Sequence, residues 1–138
     1  MELRRRDWRM IAMKAGLWIA VGIHWLPLPG LLGADSLRTL YALAASIEPA
    51  VELLLQHRAL LFALLSLPLA FALNGRGSVR TGCALLLASD IAFALLCLQH
   101  WPLSPALQRV LLFDAASIAL LLIGLTAAAP RGDQTLRR

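Results

Sequence analysis

The stretch TGCALLLASDIAFALLCLQHW, residues 81–101, carries a single charged side chain, Asp90, in 21 positions. Wound as an α-helix at 1.5 Å per residue it is about 31 Å long, which matches the hydrocarbon core of a bilayer. It is rich in leucine and alanine and lacks period-two alternation, so a strand is excluded. It stops at Pro102, which cannot continue the helix.

Working outward, three more stretches qualify as spans. One runs from about Leu53 to Leu73 and ends at the turn Asn74-Gly75-Arg76-Gly77-Ser78. Another covers about Leu107 to Ala129 and stops at Pro130, with Ser104 as its N-cap and Pro105 at its first helical position. The first in the chain runs from about Met10 to Leu28, closed by Pro27, Pro29 and Gly30. Pro68 lies inside the second span, where a helix packed against neighbours tolerates it as a kink. The expected fold is therefore all-α, a single membrane domain over residues 1–138 forming a transmembrane four-helix bundle.

Composition agrees. Hydrophobic residues make up 59% of the 138 and charged residues 15%, against about 45–50% and about 25% in soluble domains. The formal net charge of +5 raises nucleic acid as a partner, but its placement argues for lipid. Arg4, Arg5, Arg6, Arg131, Arg137 and Arg138 sit in the tails, with Arg9 and Lys14 close behind. No basic stripe interleaves with aromatics as a nucleic-acid surface requires, whereas basic ends beside apolar spans suit anionic head groups.

The same residues predict orientation. Four spans place both termini and the middle loop on one side, with ten lysines and arginines there: Arg4, Arg5, Arg6, Arg9, Lys14, Arg76, Arg80, Arg131, Arg137 and Arg138. The other side has three, Arg38, Arg58 and Arg109. By the positive-inside rule both ends face the cytoplasm of a bacterial inner membrane. Lys14 interrupts the first apolar run and no small-x-small site follows it, so cleavage as a signal peptide is not expected.

The first outer loop, about Pro29 to Glu52, is longer than a hairpin needs. Asp35 is placed to N-cap a short helix with Leu37, Leu40, Tyr41 and Ala44 on one face. That helix either lies in the membrane interface with Arg38 toward water or caps the bundle. Glu48 and Glu52 open the second span at its positive dipole end. Cys83 and Cys97, 14 residues apart on one helix, are about 21 Å apart along its axis, too far to bridge each other. They are expected to be packed and reduced.

Gly22-Ile23-His24-Trp25-Leu26-Pro27-Leu28-Pro29-Gly30-Leu31-Leu32-Gly33, then Leu40-Tyr41, then Leu55-Gln56-His57-Arg58-Ala59-Leu60-Leu61-Phe62 resembles a group of small bacterial membrane proteins. Their first helix ends Ile-His-x-Leu-Pro-Leu and their second begins His-Arg-Ala-x-Leu-Phe. The resemblance covers roughly residues 20–70 and implies a four-helix inner-membrane protein of unestablished role. Members sometimes carry the label phosphopantetheine adenylyltransferase. This chain does not support that chemistry, since it has neither a βα nucleotide-binding unit nor a glycine-rich phosphate turn.

Ionisable groups at membrane depth are expensive and are the functional candidates by default. His24, His57 and His100 all fall near the outer ends of their spans. If they converge, with Asp35, Glu48 or Glu52 nearby, they are candidate ligands for zinc or copper, and two on facing helices could hold a haem iron. The alternative is three interfacial side chains, with Trp25 and Trp101 beside two of them as an aromatic belt. Ala12, Gly16 and Ala20 form a small-x-x-x-small face that His24 continues. Arg58 needs a counter-charge, and Asp114, at comparable depth, is the preferred one. Asp90 sits near mid-span with no base evident at its level, either as a packing hydrogen bond or as a proton-coupling carboxyl.

Three functions follow. A non-catalytic accessory or structural membrane component is the leading reading. A metal-, haem- or quinone-binding redox protein with its site near the periplasmic face, and a small proton-coupled transporter using Asp90, are the alternatives. Hydrolytic catalysis is disfavoured for want of a nucleophile, base and orienter at recognisable spacing. The cofactor is open. The expected partners are the lipid bilayer and either a second copy or another membrane protein, with no nucleic acid.

Overall fold

Proline and serine decide where the helices begin. In the computed structural model, which describes residues 2–43 and 47–128 and only the backbone of residues 2–7, α5 (Pro105–Ala127) opens with proline in its first turn. The Ser104 hydroxyl there accepts from the Leu107 amide at 3.4 Å, as the sequence leads one to expect. α4 (Val79–Gln99) opens in the same way, with Ser78 accepting from the Thr81 amide at 3.2 Å. α3 (Pro49–Leu73) again starts on proline and runs unbroken through Pro68. The starts of α3, α4 and α5 fall two to four residues earlier than hydropathy alone places them, because the serine caps of α4 and α5 and the first turn of α3, with Pro49 and Glu52, lie outside the apolar runs.

α1 (Glu2–Trp25) is followed by a 3₁₀ helix (Leu28–Leu32) and by α2 (Ala34–Tyr41). The span read as Met10–Leu28 is thus a helix that ends at Trp25, then a tighter turn opened by Pro27 and Pro29. Asp35 does not cap α2: Gly33 holds that position with φ +117°, and Asp35 sits in the first turn, paired with Arg38. Pro130, the tail arginines' side chains and Ala44 lie outside the described residues.

Four of these helices are long and apolar enough to cross a membrane. α1, α3, α4 and α5 form a closed ring in which α1 packs on α3 and α5, and α4 packs on the same two. α3 and α5 therefore stand on a diagonal. The 3₁₀ helix and α2 lie across one end, mainly against α3. We call this the cap end and the opposite one, with the Asn74–Ser78 loop, the turn end.

Only 22–28% of each span is buried inside the bundle, so most of each helix faces outward. Leu53, Leu98, Leu112 and Ile123 are exposed there, a surface that lipid covers at no cost and water does not. The interior is the reverse. Leu17, Ala20, Val21, Leu69, Cys83, Leu86 and Leu121 form its apolar core toward the turn end, while His24, Ser66, Asp90, Asp114 and Ser117 are buried polar residues. Cys83 and Cys97 are buried and free.

In a bilayer, packing contacts replace the hydrophobic drive between helices, and small residues set how close the backbones come. The tightest approach to a neighbouring backbone is at Gly82, where an added Cβ would lie 2.6 Å from the Leu69 Cα. Backbone cannot swing aside as a side-chain tip can. Gly16 and Ala20 do face a neighbour, with Leu120 of α5 3.2 Å from a Cβ at Gly16, but Ala12 is exposed. Gly82→Ala should therefore cost about 1–3 kcal/mol, read as a lowered unfolding midpoint in mild detergent. Gly22→Ala, where a Cβ meets nothing within 4 Å, should leave the midpoint unchanged.

Candidate functional site

Each helix of the ring contributes one ionisable side chain toward the cap-end interior. Arg58, Asp90 and Asp114 each stand nine residues from the cap-end terminus of their helix, Pro49, Gln99 and Pro105 respectively. That is about 13.5 Å of helix in every case. His24 is one residue from the end of α1, yet its Nε2 lies 2.9 Å from Asp90 Oδ1. α1 therefore stops about 12 Å short of its neighbours, and the 3₁₀ helix and α2 cover the gap.

This corrects two expectations. Asp90 has a base at its level, and that base is His24. The sequence hid it because a span drawn to Leu28 puts His24 near the membrane surface. Both residues are buried, at 3% exposure each. The His24 Nδ1 lies 2.8 Å from the Ala20 carbonyl, and a carbonyl only accepts, so Nδ1 carries a proton and donates it. One further proton lies between Nε2 and Oδ1. Either an imidazolium donates to a carboxylate, or a carboxylic acid donates to a neutral imidazole. Both arrangements leave the pair with no net charge, which is what makes it tolerable at this depth.

Both ring nitrogens of His24 are thereby engaged, and neither is free for a metal. His57 and His100 are exposed, and the His100 Nδ1 donates to the Leu96 carbonyl at 2.9 Å. Among the described residues no group of three or more histidine, cysteine, aspartate or glutamate side chains is arranged to hold a metal ion. The three histidines thus do not gather into one ligand set.

Arg58 is also corrected. No ion pair joins it to Asp114 among the described residues. Instead its guanidinium lies over two rings, 4.9 Å from the centre of Phe62 and 4.2 Å from that of Phe93. Cation–π contact of this kind stabilises the charge without consuming its N–H donors in conventional hydrogen bonds. One of its terminal nitrogens is buried with no hydrogen-bond partner among the described residues, and so are Asp114 Oδ2, Asp90 Oδ2 and Ser117 Oγ. Phe62 also meets the His24 ring edge-on, with centroids 5.9 Å apart, so it braces both groups.

Arg58 and Asp114 face one cavity of about 230 Å³ at the cap end. His24 and Pro27 close one side of it, Leu40 and Tyr41 of α2 another, and Phe62, Val110 and Phe113 add apolar wall. Arg109 also reaches it. Burial is the main influence on the Tyr41 phenol and pushes its pKa above the usual range, with Arg58 opposing this and Asp114 adding to it. It stays a neutral hydroxyl at pH 7. Tyr41 and Arg109 are not legible in the sequence as site residues: the first lies on the apolar face of a short helix placed either in the interface or over the bundle, and the second counts only among the basic residues of the outer side. Phe62, four residues after Arg58 on one helix face, was the available signal.

The chain matches no protein-family model, no curated protein and no solved structure. Its class therefore rests on the fold and the site: a four-span helical bundle with a layer of ionisable groups beneath a capped cavity.

Breaking the His24–Asp90 pair from one side strands a buried polar group. His24→Leu or Asp90→Leu should each cost about 3 kcal/mol. The double variant should recover at least about half of the summed loss, measured by denaturant titration in mild detergent. Strictly additive losses would mean that the two side chains do not interact.

Proposed function

We propose that this chain is a non-catalytic, multi-pass protein of the bacterial inner membrane that binds a small, largely apolar molecule in its cap-end cavity. The observation that carries this is one largely apolar cavity lined by Arg58 and Asp114, each of which also holds a buried polar atom without a partner among the described residues. A buried polar group without a partner costs roughly 1–3 kcal/mol, more if charged. A bound molecule that supplies the missing hydrogen bonds recovers that cost. Apolar walls with a few convergent polar groups are the usual make-up of a small-molecule site.

Size narrows the occupant. An apolar cavity of about 150 Å³ accepts benzene, so about 230 Å³ suits one ring with one or two substituents. The resemblance around His24 and His57-Arg58-Ala59 supports the same assignment to small bacterial inner-membrane proteins, and its two motifs contribute His24, Arg58 and Phe62 to the site. The engagement of both His24 nitrogens weighs against metal or haem there. The pairing of Asp90 makes it a lock between α1 and α4 in preference to a lone proton-coupling carboxyl.

The basic residues around the turn end favour a cytoplasmic turn end and a cap end facing outward. In a chain lacking Cys83 and Cys97, Thr39→Cys should react with a membrane-impermeant maleimide in intact cells, and Asn74→Cys only after lysis. The reverse pattern would invert the orientation.

Binding itself is tested by thermal stabilisation of the detergent-solubilised protein with single-ring compounds. Val110→Phe, which fills the cavity, should abolish the stabilisation while leaving the unliganded protein folded. Equal stabilisation of the filled variant would place binding elsewhere.

A further inference from the structure

The cavity's charges do not cancel. Arg58 and Arg109 contribute two positive charges, and the His24–Asp90 pair contributes none. Asp114 contributes one negative charge when ionised and none when protonated. The net charge lining the cavity is therefore +1 or +2, never zero or negative. Tyr41 is neutral. An apolar enclosure weakens solvent screening, so this excess is felt by whatever enters.

The polar atoms are also placed apart. Arg58 is on α3 and Asp114 on α5, the diagonal helices of the ring, and no ion pair spans the gap between them. The Arg58 Cζ lies over the rings of Phe62 and Phe93, and one terminal nitrogen is without a partner among the described residues. A carboxylate is the natural partner for that edge, since two oxygens match two parallel N–H groups. Asp114 Oδ2, on the opposite wall, is an acceptor when ionised and calls for a donor. Arg109 is exposed and five residues nearer the start of α5 than Asp114, so it stands about 7.5 Å closer to the cap end. There it can attract an anion before the anion is desolvated.

We propose that the cap-end cavity selects a ring-sized monoanion, a carboxylate on an apolar body that also carries a hydroxyl or N–H donor. This rests on the reading of the cavity as a ligand site. In the bound state the carboxylate takes the free edge of Arg58, the donor meets Asp114, and the ring packs against Phe62, Val110 and Phe113.

The test uses the full chain in mild detergent and a set of near-isosteric probes, with Kd read from ligand-induced thermal shifts and checked by calorimetry. The probes are 4-hydroxybenzoate, benzoate, 4-hydroxybenzyl alcohol and 4-hydroxybenzylammonium. Binding should be tightest for 4-hydroxybenzoate, at least about tenfold tighter than for the neutral alcohol, and weakest for the cation. Benzoate, lacking the donor, should fall several-fold behind 4-hydroxybenzoate. Arg58→Gln should bring the acid-to-alcohol ratio close to one. Arg109→Gln alters an exposed residue, keeps the fold, and should lower the ratio several-fold.

Decanoate against decanol forms a second arm. A preference for the acid there as well assigns the anion to membrane-borne carboxylates, and a preference confined to the aromatic acid assigns it to the aqueous side. Either supports selection of a carboxylate, and decanoate binding as tightly as 4-hydroxybenzoate overturns the preference for a ring that carries a donor. Equal or tighter binding of the neutral alcohol, or of a benzoquinone, overturns anion selection while leaving the cavity a ligand site. Failure of every probe to bind overturns the ligand-site reading with it.

Discussion

A hydrogen bond of 2.9 Å between His24 and Asp90 is the constraint on which the cap end depends. It ties the last turn of α1 to the middle of α4, two helices on a diagonal of the ring that each pack mainly on α3 and α5. Because α1 ends there, the chain must cross the remaining depth in another form. The prolines at 27 and 29 turn it into the 3₁₀ helix, and Gly33 redirects it into α2. The cavity is what remains beneath that cap.

The pair also sets the electrostatics. With Nδ1 committed to the Ala20 carbonyl, the imidazole's tautomer is fixed and its second nitrogen is committed to Asp90. Two groups that would each be costly at this depth become one neutral unit. Arg58 has no such relief from a carboxylate and is held by aromatic faces instead. Two solutions to one problem thus sit side by side. One ties up both nitrogens of His24 and Oδ1 of Asp90, away from the cavity wall on Asp90's side, and the other leaves Arg58 on the wall of the cavity. That difference separates the structural part of the polar layer from the part able to bind.

Much of this was legible in the chain. Span length and low charge specify the bundle, and Ser104-Pro105 and the Asn74–Ser78 turn locate its joints. Arg58, Asp90 and Asp114 stand out because each is an ionisable group inside an apolar run. Their mutual arrangement was not legible, for a physical reason: hydropathy places a residue by its neighbours in sequence, and depth depends on where the helix begins and ends. His24 lies in an apolar run that continues to Leu32, and although Pro27 and Pro29 mark a helix end close to Trp25, nothing local shows how deep in the bundle that end lies. Similar depth also made Arg58 and Asp114 look like partners, whereas depth says nothing about position around the ring. Only the packing order, with α3 and α5 on the diagonal, keeps them apart. Tyr41 was hidden likewise, since an amphipathic helix shows the same pattern over lipid as over a cavity.

The central claim is that His24 is locked between Ala20 and Asp90 at the floor of the cavity. Nitrogen-15 NMR of histidine-labelled protein in bilayers tests it most directly. The account predicts a His24 signal with a protonated Nδ1 and an Nε2 hydrogen-bonded to a carboxyl, both protected from exchange with water, alongside two freely exchanging rings from His57 and His100. Three rings that exchange alike, or a His24 protonated at Nε2 alone, would contradict it.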